Sequence, residues 1–238
     1  MNFWTSWPDR LLADVSLWSA DLATLGAEIK RMEPYADLFH LDVADGHFVP
    51  ELLFFPVLTE ALRSWTNVPF HVHLMVEHPT THIDAFAKAG ANLITVHHEI
   101  GTEASTAIEQ IHRCGLIPGL ALQLETPPEV IVPYLGEVRL ILLMGTRLGV
   151  KGQSLNPSTY MREQTVRQMI RDHGYEGQVK IEVDGGIREH TVPLIRKAGA
   201  DLVVPGSLVF KSDHLAQTFQ WLHALPAPIT SQEGRGDS

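Results

Sequence analysis

The sequence predicts a single α/β domain, a (β/α)8 TIM barrel, and three observations carry that prediction. Short apolar runs alternate with amphipathic helical patterns along the whole chain. The runs number eight. The chain has 238 residues and no composition break, and barrels of this kind run to about 250 residues as one unit. Alternating strand and helix signals imply βαβ units and a parallel sheet. A doubly wound open sheet is the competing arrangement; the count of eight and the even spacing favour the barrel.

In chain order, the first run is Leu11–Ser16, followed by the amphipathic stretch DLATLGAEIKRM, and the second is Leu38–Val43. The third, Pro69–Met75, precedes THIDAFAKAG; the fourth, Leu93–His97, precedes ASTAIEQIHRCG. Pro118–Leu122 and Leu140–Gly145 follow, the latter ahead of TYMREQTVRQMIRDHG, and Val179–Val183 and Leu202–Pro205 complete the set. Apolar spacings of three and four argue helix, and short continuous apolar runs argue buried strands. Gly90, Gly115, Gly174 and Gly199 sit where helices should stop before the next strand. Residues 1–225 are therefore expected to form the barrel. Residues 226–238, PAPITSQEGRGDS, are polar and Pro/Gly-rich and read as a flexible C-terminal tail.

Composition narrows the function. Eighteen Lys+Arg against 28 Asp+Glu give a net charge of −10, which argues against nucleic acid or an anionic membrane as partner. The single cysteine, Cys114, rules out an internal disulfide framework. The first residues lack the basic and apolar regions of a secretory signal. No apolar run approaches the ~20 residues that span a bilayer. The expectation is a cytoplasmic protein with a small-molecule partner. The unusual number is the histidines: eight of the 13 lie between residues 40 and 98.

In an α/β barrel the site lies at the C-terminal ends of the strands. The second run ends His40-Leu41-Asp42, the third contains His71-Val72-His73, the fourth ends His97-His98-Glu99, and the seventh ends Glu182-Val183-Asp184. Residues i and i+2 of a strand share a face, so His40 projects with Asp42, and His71 with His73. His40, Asp42, His73 and Asp184 are thus candidates to surround one divalent cation. Two nitrogens and two carboxylate oxygens suit zinc first, with Mn2+ or Fe2+ open. Gly185-Gly186 and Gly206-Ser207 follow the last two runs, where barrels bind phosphate on backbone N–H groups. Together these features predict a phosphorylated substrate beside a metal and two carboxylates.

The blocks Ser16–Asp21 (SLWSAD), HLDVADGHFVP at 40–50, HVHLMVEHP at 71–79, AKAGANLITVH at 87–97, VDGGI at 183–187 and PGSLVF at 205–210 resemble the ribulose-phosphate 3-epimerases, over about Ser16 to Phe210. The resemblance implies a barrel of the ribulose-phosphate-binding type that inverts C3 of D-ribulose 5-phosphate to give D-xylulose 5-phosphate. It implies metal ligation by His40, Asp42, His73 and Asp184. It also implies that Asp42 and Asp184 are the two acid/base groups, working through a metal-stabilised enediolate. Ser16 matches a substrate-contacting serine, and the phosphate falls on Gly185, Gly186, Gly206 and Ser207. Met75 and Met144 match methionines that line the site. The family forms homo-oligomers, and the apolar stretch ELLFFPVL, with Phe54, Phe55 and nearby Phe39, is a candidate subunit interface.

Three departures bear on the substrate. The loop that usually reads Asn-Pro-Gly-Phe-Gly-Gly-Gln here reads Arg147-Leu148-Gly149-Val150-Lys151-Gly152-Gln153, keeping Gly149, Gly152 and Gln153. Arg147 and Lys151 either lie solvated on a drifted loop or reach the ligand, Arg147 being the better oxyanion fork. His71 stands where Asp is common and is expected one layer below the ligands. Ala44 replaces a methionine and is expected to open space beside the site. The alternatives left open are a different ketose phosphate (allulose 6-phosphate or an erythrulose phosphate, at C3 or C4) and a non-catalytic sugar-phosphate-binding paralogue.

Overall fold

The structure, a computed structural model, describes Trp4 and residues 8–227; most of the expected tail lies outside the described residues. Its strands are β1 (Leu12–Ser16), β2 (Leu38–Asp45), β3 (Leu52–Leu53), β4 (Phe70–Met75), β5 (Leu93–His97), β6 (Ile117–Leu122), β7 (Leu140–Met144), β8 (Lys180–Asp184) and β9 (Leu202–Val204). Eight of them pair in parallel in the order β1-β9-β8-β7-β6-β5-β4-β2, and a β1–β2 pairing closes the ring. This is the predicted (β/α)8 barrel. The short β3 pairs antiparallel with the end of β2.

The helices are α1 (Leu25–Met32), α2 (Pro56–Arg63), α3 (Ile83–Lys88), α4 (Glu103–Arg113), α5 (Ser158–Asp172), α6 (Val192–Ala198), α7 (Ser207–Phe210) and α8 (Leu215–His223). Each of the longer ones buries a stripe at helical spacing, as α4 does with Ala104, Ala107, Ile108 and Ile111. One crossover departs from the strand–helix alternation. Between β6 and β7 the chain takes 3-10 turns over Pro128–Tyr134. Pro127, Pro128 and Pro133 lack the N–H donors that a regular helix would use, which accounts for the difference.

Alternation along each strand sorts side chains to the two faces of the barrel wall. Leu11, Ala13 and Val15 pack in the large core between sheet and helices, while Leu12 turns inward. Inside, Leu12, Leu38, Leu93, Ile117, Leu140 and Leu202, with Trp4, form an apolar floor. The next inward layer carries Asp14, His40, His71, Thr95 and Glu182, all fully buried. Above it come Ser16, Asp42, His73, His97 and Asp184, at the C-terminal ends of the strands. Register holds these layers together: His40 lies opposite His71, Asp42 opposite His73, and Thr95 opposite Gly119. Gly119 has to be small, because a Cβ there would collide with Thr95 Oγ1.

The expected interface aromatics divide. Phe39 and Phe54 are core residues, whereas Leu52, Phe55 and Val57 are 80%, 55% and 70% exposed along β3 and the start of α2. Among the described residues no helix is long and apolar enough to cross a membrane.

Candidate active site

Strands β2, β4 and β8 bring His40, Asp42, His73 and Asp184 around one point. His40 Nε2 lies 3.3 Å from His73 Nδ1 and 3.4 Å from Asp42 Oδ1. His73 Nδ1 lies 3.7 Å from Asp42 Oδ1 and 3.8 Å from Asp184 Oδ2, and His40 Nε2 is 4.0 Å from Asp184 Oδ2. Tetrahedral bonds of about 2.0–2.2 Å put neighbouring donors about 3.3–3.6 Å apart. The observed separations begin in that range and run slightly above it, so the four residues fit a divalent cation.

A second group, Asp14, His40, His71 and Glu182, sits one layer deeper. Here Asp14 Oδ2 accepts from His71 Nδ1 at 2.6 Å and from His40 Nδ1 at 3.0 Å. These are hydrogen-bond lengths, shorter than the edge of a coordination tetrahedron, and the group is a hydrogen-bonded layer under the first. His71 Nε2 meets Thr95 Oγ1 at 2.7 Å, so His71 lies a layer down, as the strand period led one to expect.

The fields around the two aspartates differ. At Asp42 burial works to raise the pKa, but the His40 imidazole, with His73 beside it, holds the carboxyl well below the usual range. Asp184 is pushed up to about 7, by burial first and by the neighbouring Asp42 charge second. His40 is buried, which alone would lower it, yet the Asp42 and Asp14 carboxylates raise it well above imidazole's ordinary value. The field at the centre of the four residues thus favours positive charge.

Above the four residues opens a cleft of about 580 Å3. Ser16, Asp42, Met75, Met144, Arg147, Gly149, Lys151, Gly152, Asp184, Gly185, Gly186, Gly206 and Ser207 all line it. His40 and His73 lie beneath, fully buried. Ser16 Oγ donates to Asp42 Oδ2 at 2.9 Å, so this serine touches the carboxylate as well as facing the cleft. Gly185 and Gly186 have φ of +93° and +73°, a conformation that side-chain-bearing residues rarely adopt. The loop after β2 is tied down by Asp45, which accepts backbone N–H bonds from His47, Phe48 and Glu77, each 2.8 Å.

The divergent loop 147–153 crosses the cleft. Gln153 Nε2 donates to the Arg147 carbonyl at 3.0 Å and the Val150 carbonyl at 2.9 Å, which fixes the loop's curl. Lys151 is anchored rather than freely solvated: its ammonium donates to the Trp18 carbonyl and lies 4.7 Å from the Trp18 ring centroid. Arg147 is exposed on the rim. Ala44 does not line this cleft: it packs with Val49 and Met75, with Phe48, Leu53 and Leu148 around them, and it borders a second cavity of about 430 Å3 between β2, β3 and α3.

Sequence reasoning missed several residues. Asp14 and Glu182 lie two positions before Ser16 and Asp184 on the same inward faces, so the strand period could have found them. Glu99 lies two positions after His97 and accepts from His97 Nδ1 at 3.1 Å. Arg188 and Lys211 also line the cleft; nothing in their local pattern marks them. His98 is half-buried with its ring edge-on to Tyr134.

The profile of the "Ribulose-phosphate 3 epimerase family" matches residues 12–210. The ribulose-phosphate 3-epimerase of Bacillus subtilis (strain 168) is 42% identical over 196 residues, spanning 82% of this chain and 90% of that one. The chain belongs to the ribulose-phosphate 3-epimerase family. It is accordingly an epimerase, an enzyme of the isomerase class. The family's namesake from Chlamydia trachomatis (serovar D) is 39% identical over 206 residues, 86% of this chain and 88% of that one. Among solved structures, 3-hexulose-6-phosphate synthase superposes with a TM-score of 0.64 at 17% identity, covering 92% of this chain and 100% of that one. That second likeness is one of fold alone.

Proposed function

We propose that this epimerase inverts C3 of D-ribulose 5-phosphate to give D-xylulose 5-phosphate, with Asp42 and Asp184 as its proton-transfer groups. The observation that carries the reading is that Asp42 and Asp184, on opposite sides of the barrel mouth, both line one cleft in a chain of this family. Two carboxyls facing one cleft supply the base and the acid that inversion needs. One carboxylate removes the C3 proton and the electron pair passes to the C2 oxygen. The other aspartic acid returns a proton to C3 from the opposite side as the C2 carbonyl reforms. Each group ends the turnover in its partner's starting state, so the reaction runs in both directions.

In this reading His40, Asp42, His73 and Asp184 hold one divalent cation, zinc first, with Mn2+ or Fe2+ as alternatives. Bound there, the cation supplies Lewis-acid stabilisation of the negative charge that develops on the substrate's oxygens. Gly185, Gly186, Gly206 and Ser207 take the phosphate on backbone N–H groups. Arg147, Lys151, Arg188 and Lys211 add positive charge around the same cleft, which suits an anionic substrate in a protein of net charge −10. We place the enzyme in the cytoplasm as a homo-oligomer, the exposed apolar strip Leu52, Phe55 and Val57 supporting a subunit contact.

The changed loop and the anchored Lys151 favour a second reading, an epimerase of another ketose phosphate. Comparing kcat/KM for D-ribulose 5-phosphate, allulose 6-phosphate and erythrulose phosphate with the zinc-loaded protein decides between them. The expected result is a preference of about tenfold or more for D-ribulose 5-phosphate. A larger kcat/KM for either other sugar would replace it as the substrate.

A further inference from the structure

We propose that Glu99 is a positioning residue that acts through His97 to fix which ring nitrogen of His73 faces the four-residue site. The proposal rests on the reading of His40, Asp42, His73 and Asp184 as a cation site. An imidazole that ligates a cation must offer a lone pair, so its other nitrogen carries the proton and needs an acceptor. For His40 that acceptor is Asp14, directly. Among the described residues the partner of His73 Nε2 is another histidine rather than a carboxylate, with His73 Nε2 and His97 Nε2 2.8 Å apart.

The direction of this chain can be read from its far end. Glu99 Oε1 accepts from the Gln123 backbone N–H at 2.8 Å and from the Thr126 hydroxyl. Burial would raise Glu99, but the bonds from His97, Thr126 and Gln123 hold it at about 2, an ionised carboxylate that only accepts. Its Oε2 therefore receives His97 Nδ1–H at 3.1 Å. In the neutral His97 ring Nε2 is then the lone-pair nitrogen, and it accepts from His73 Nε2–H. This leaves the lone pair of His73 on Nδ1, the atom that faces His40, Asp42 and Asp184. Both rings are fully buried and meet directly, and the Phe48 ring lies 5.0 Å from that of His97, centroid to centroid.

This directionality makes an unusual prediction for an isosteric change. In Glu99→Gln the amide oxygen stays with its two donors, Gln123 N–H and Thr126 O–H, which turns the NH2 toward His97 Nδ1. His97 must then accept at Nδ1 and donate from Nε2. His73 accepts at Nε2, and its N–H points into the site. Glu99→Ala removes the acceptor without inserting a donor and leaves the chain free to keep its direction. A residue that merely fills space would show the opposite order, with Gln milder than Ala.

The test combines zinc affinity, by competition with a chromophoric chelator, with long-range 1H–15N spectra of the metal-free, histidine-labelled protein. Wild type is expected to carry the His73 proton on Nε2 and E99Q on Nδ1. E99Q is expected to bind zinc about 10–100-fold more weakly than wild type, and more weakly than E99A. A His73 proton on Nδ1 in wild type, unchanged zinc affinity in E99Q, or an E99A defect larger than that of E99Q would each overturn the proposal. His73→Ala is the control for the underlying reading. If wild type binds no zinc, or His73→Ala binds it equally well, the cation assignment fails, and the wild-type and E99Q spectra still decide the direction of the chain.

Discussion

At the scale of single residues, the site is a set of side chains whose roles are fixed by what lies behind them. Asp42 touches Ser16 and His40, whereas at Asp184 the Asp42 charge outweighs that of His40, which is why the two carboxyls differ. Replacing either with Asn keeps the shape and removes the transferable proton. Each variant, Asp42→Asn and Asp184→Asn, should lower kcat by about 10²–10⁴-fold, the usual contribution of a positioned acid or base. A near wild-type kcat in either would remove that residue from proton transfer. His40, Asp42, His73 and Asp184 were legible because each stands toward the C-terminal end of an apolar run, where a barrel gathers its site, and His40 has Asp42 two positions away. The strand period turns Asp14 and Thr95 inward but does not show their partners, which lie on other strands, and Glu99 sits two positions after His97 with its remaining partners, Gln123 and Thr126, beyond the next strand. The cross-strand register that joins Asp14 to His40 and His71 is set by pairing and barrel closure, which no single run encodes.

At the scale of elements, most strands and helices could be read from period alone, because each has one face committed to a core. The exceptions have local causes. The β6–β7 crossover is rich in proline, and β3 is only two residues long. The path of loop 147–153 depends on where Lys151 finds an acceptor, the Trp18 carbonyl over 130 residues away in sequence. Helix α5 holds a conflict between pattern and chemistry: its buried stripe is Thr159, Glu163, Val166 and Ile170. Burial pushes Glu163 up to about 9, against the weaker opposing effects of the Ala200 backbone and Arg167. A carboxyl whose pKa is raised on folding stabilises fully below its unfolded pKa, near 4.3, and that stability is lost as pH rises toward 9. Glu163→Gln should therefore match wild type in stability near pH 4. It should exceed wild type by on the order of 2–4 kcal/mol at pH 8, in denaturant melts across that range. A stability difference that does not grow with pH would show that Glu163 is not held neutral.

At the scale of the whole molecule, the barrel was legible because eight evenly spaced runs leave one closed parallel arrangement, and the closing β1–β2 pair completes it. Net charge was a poor guide to the ligand. An excess of ten negative charges surrounds a cleft whose rim carries two arginines and two lysines, so the local field and the global one have opposite signs. The histidine excess proved to be layered: His40 and His73 at the site, His71 beneath them, His97 behind, and His78 out on the surface beside Glu103. The exposed strip at β3 and the start of α2 shows on the folded surface only, since in sequence it is continuous with the buried Phe54. The central claim is that two aspartates on one cleft floor exchange the C3 proton of a ketose phosphate. Incubating the zinc-loaded protein with D-ribulose 5-phosphate in D2O and reading the sugars by NMR tests it most directly. One deuterium is expected at C3 in both D-ribulose 5-phosphate and D-xylulose 5-phosphate, and none at other carbons. Epimerisation without solvent label at C3, or label at a different carbon, would contradict it.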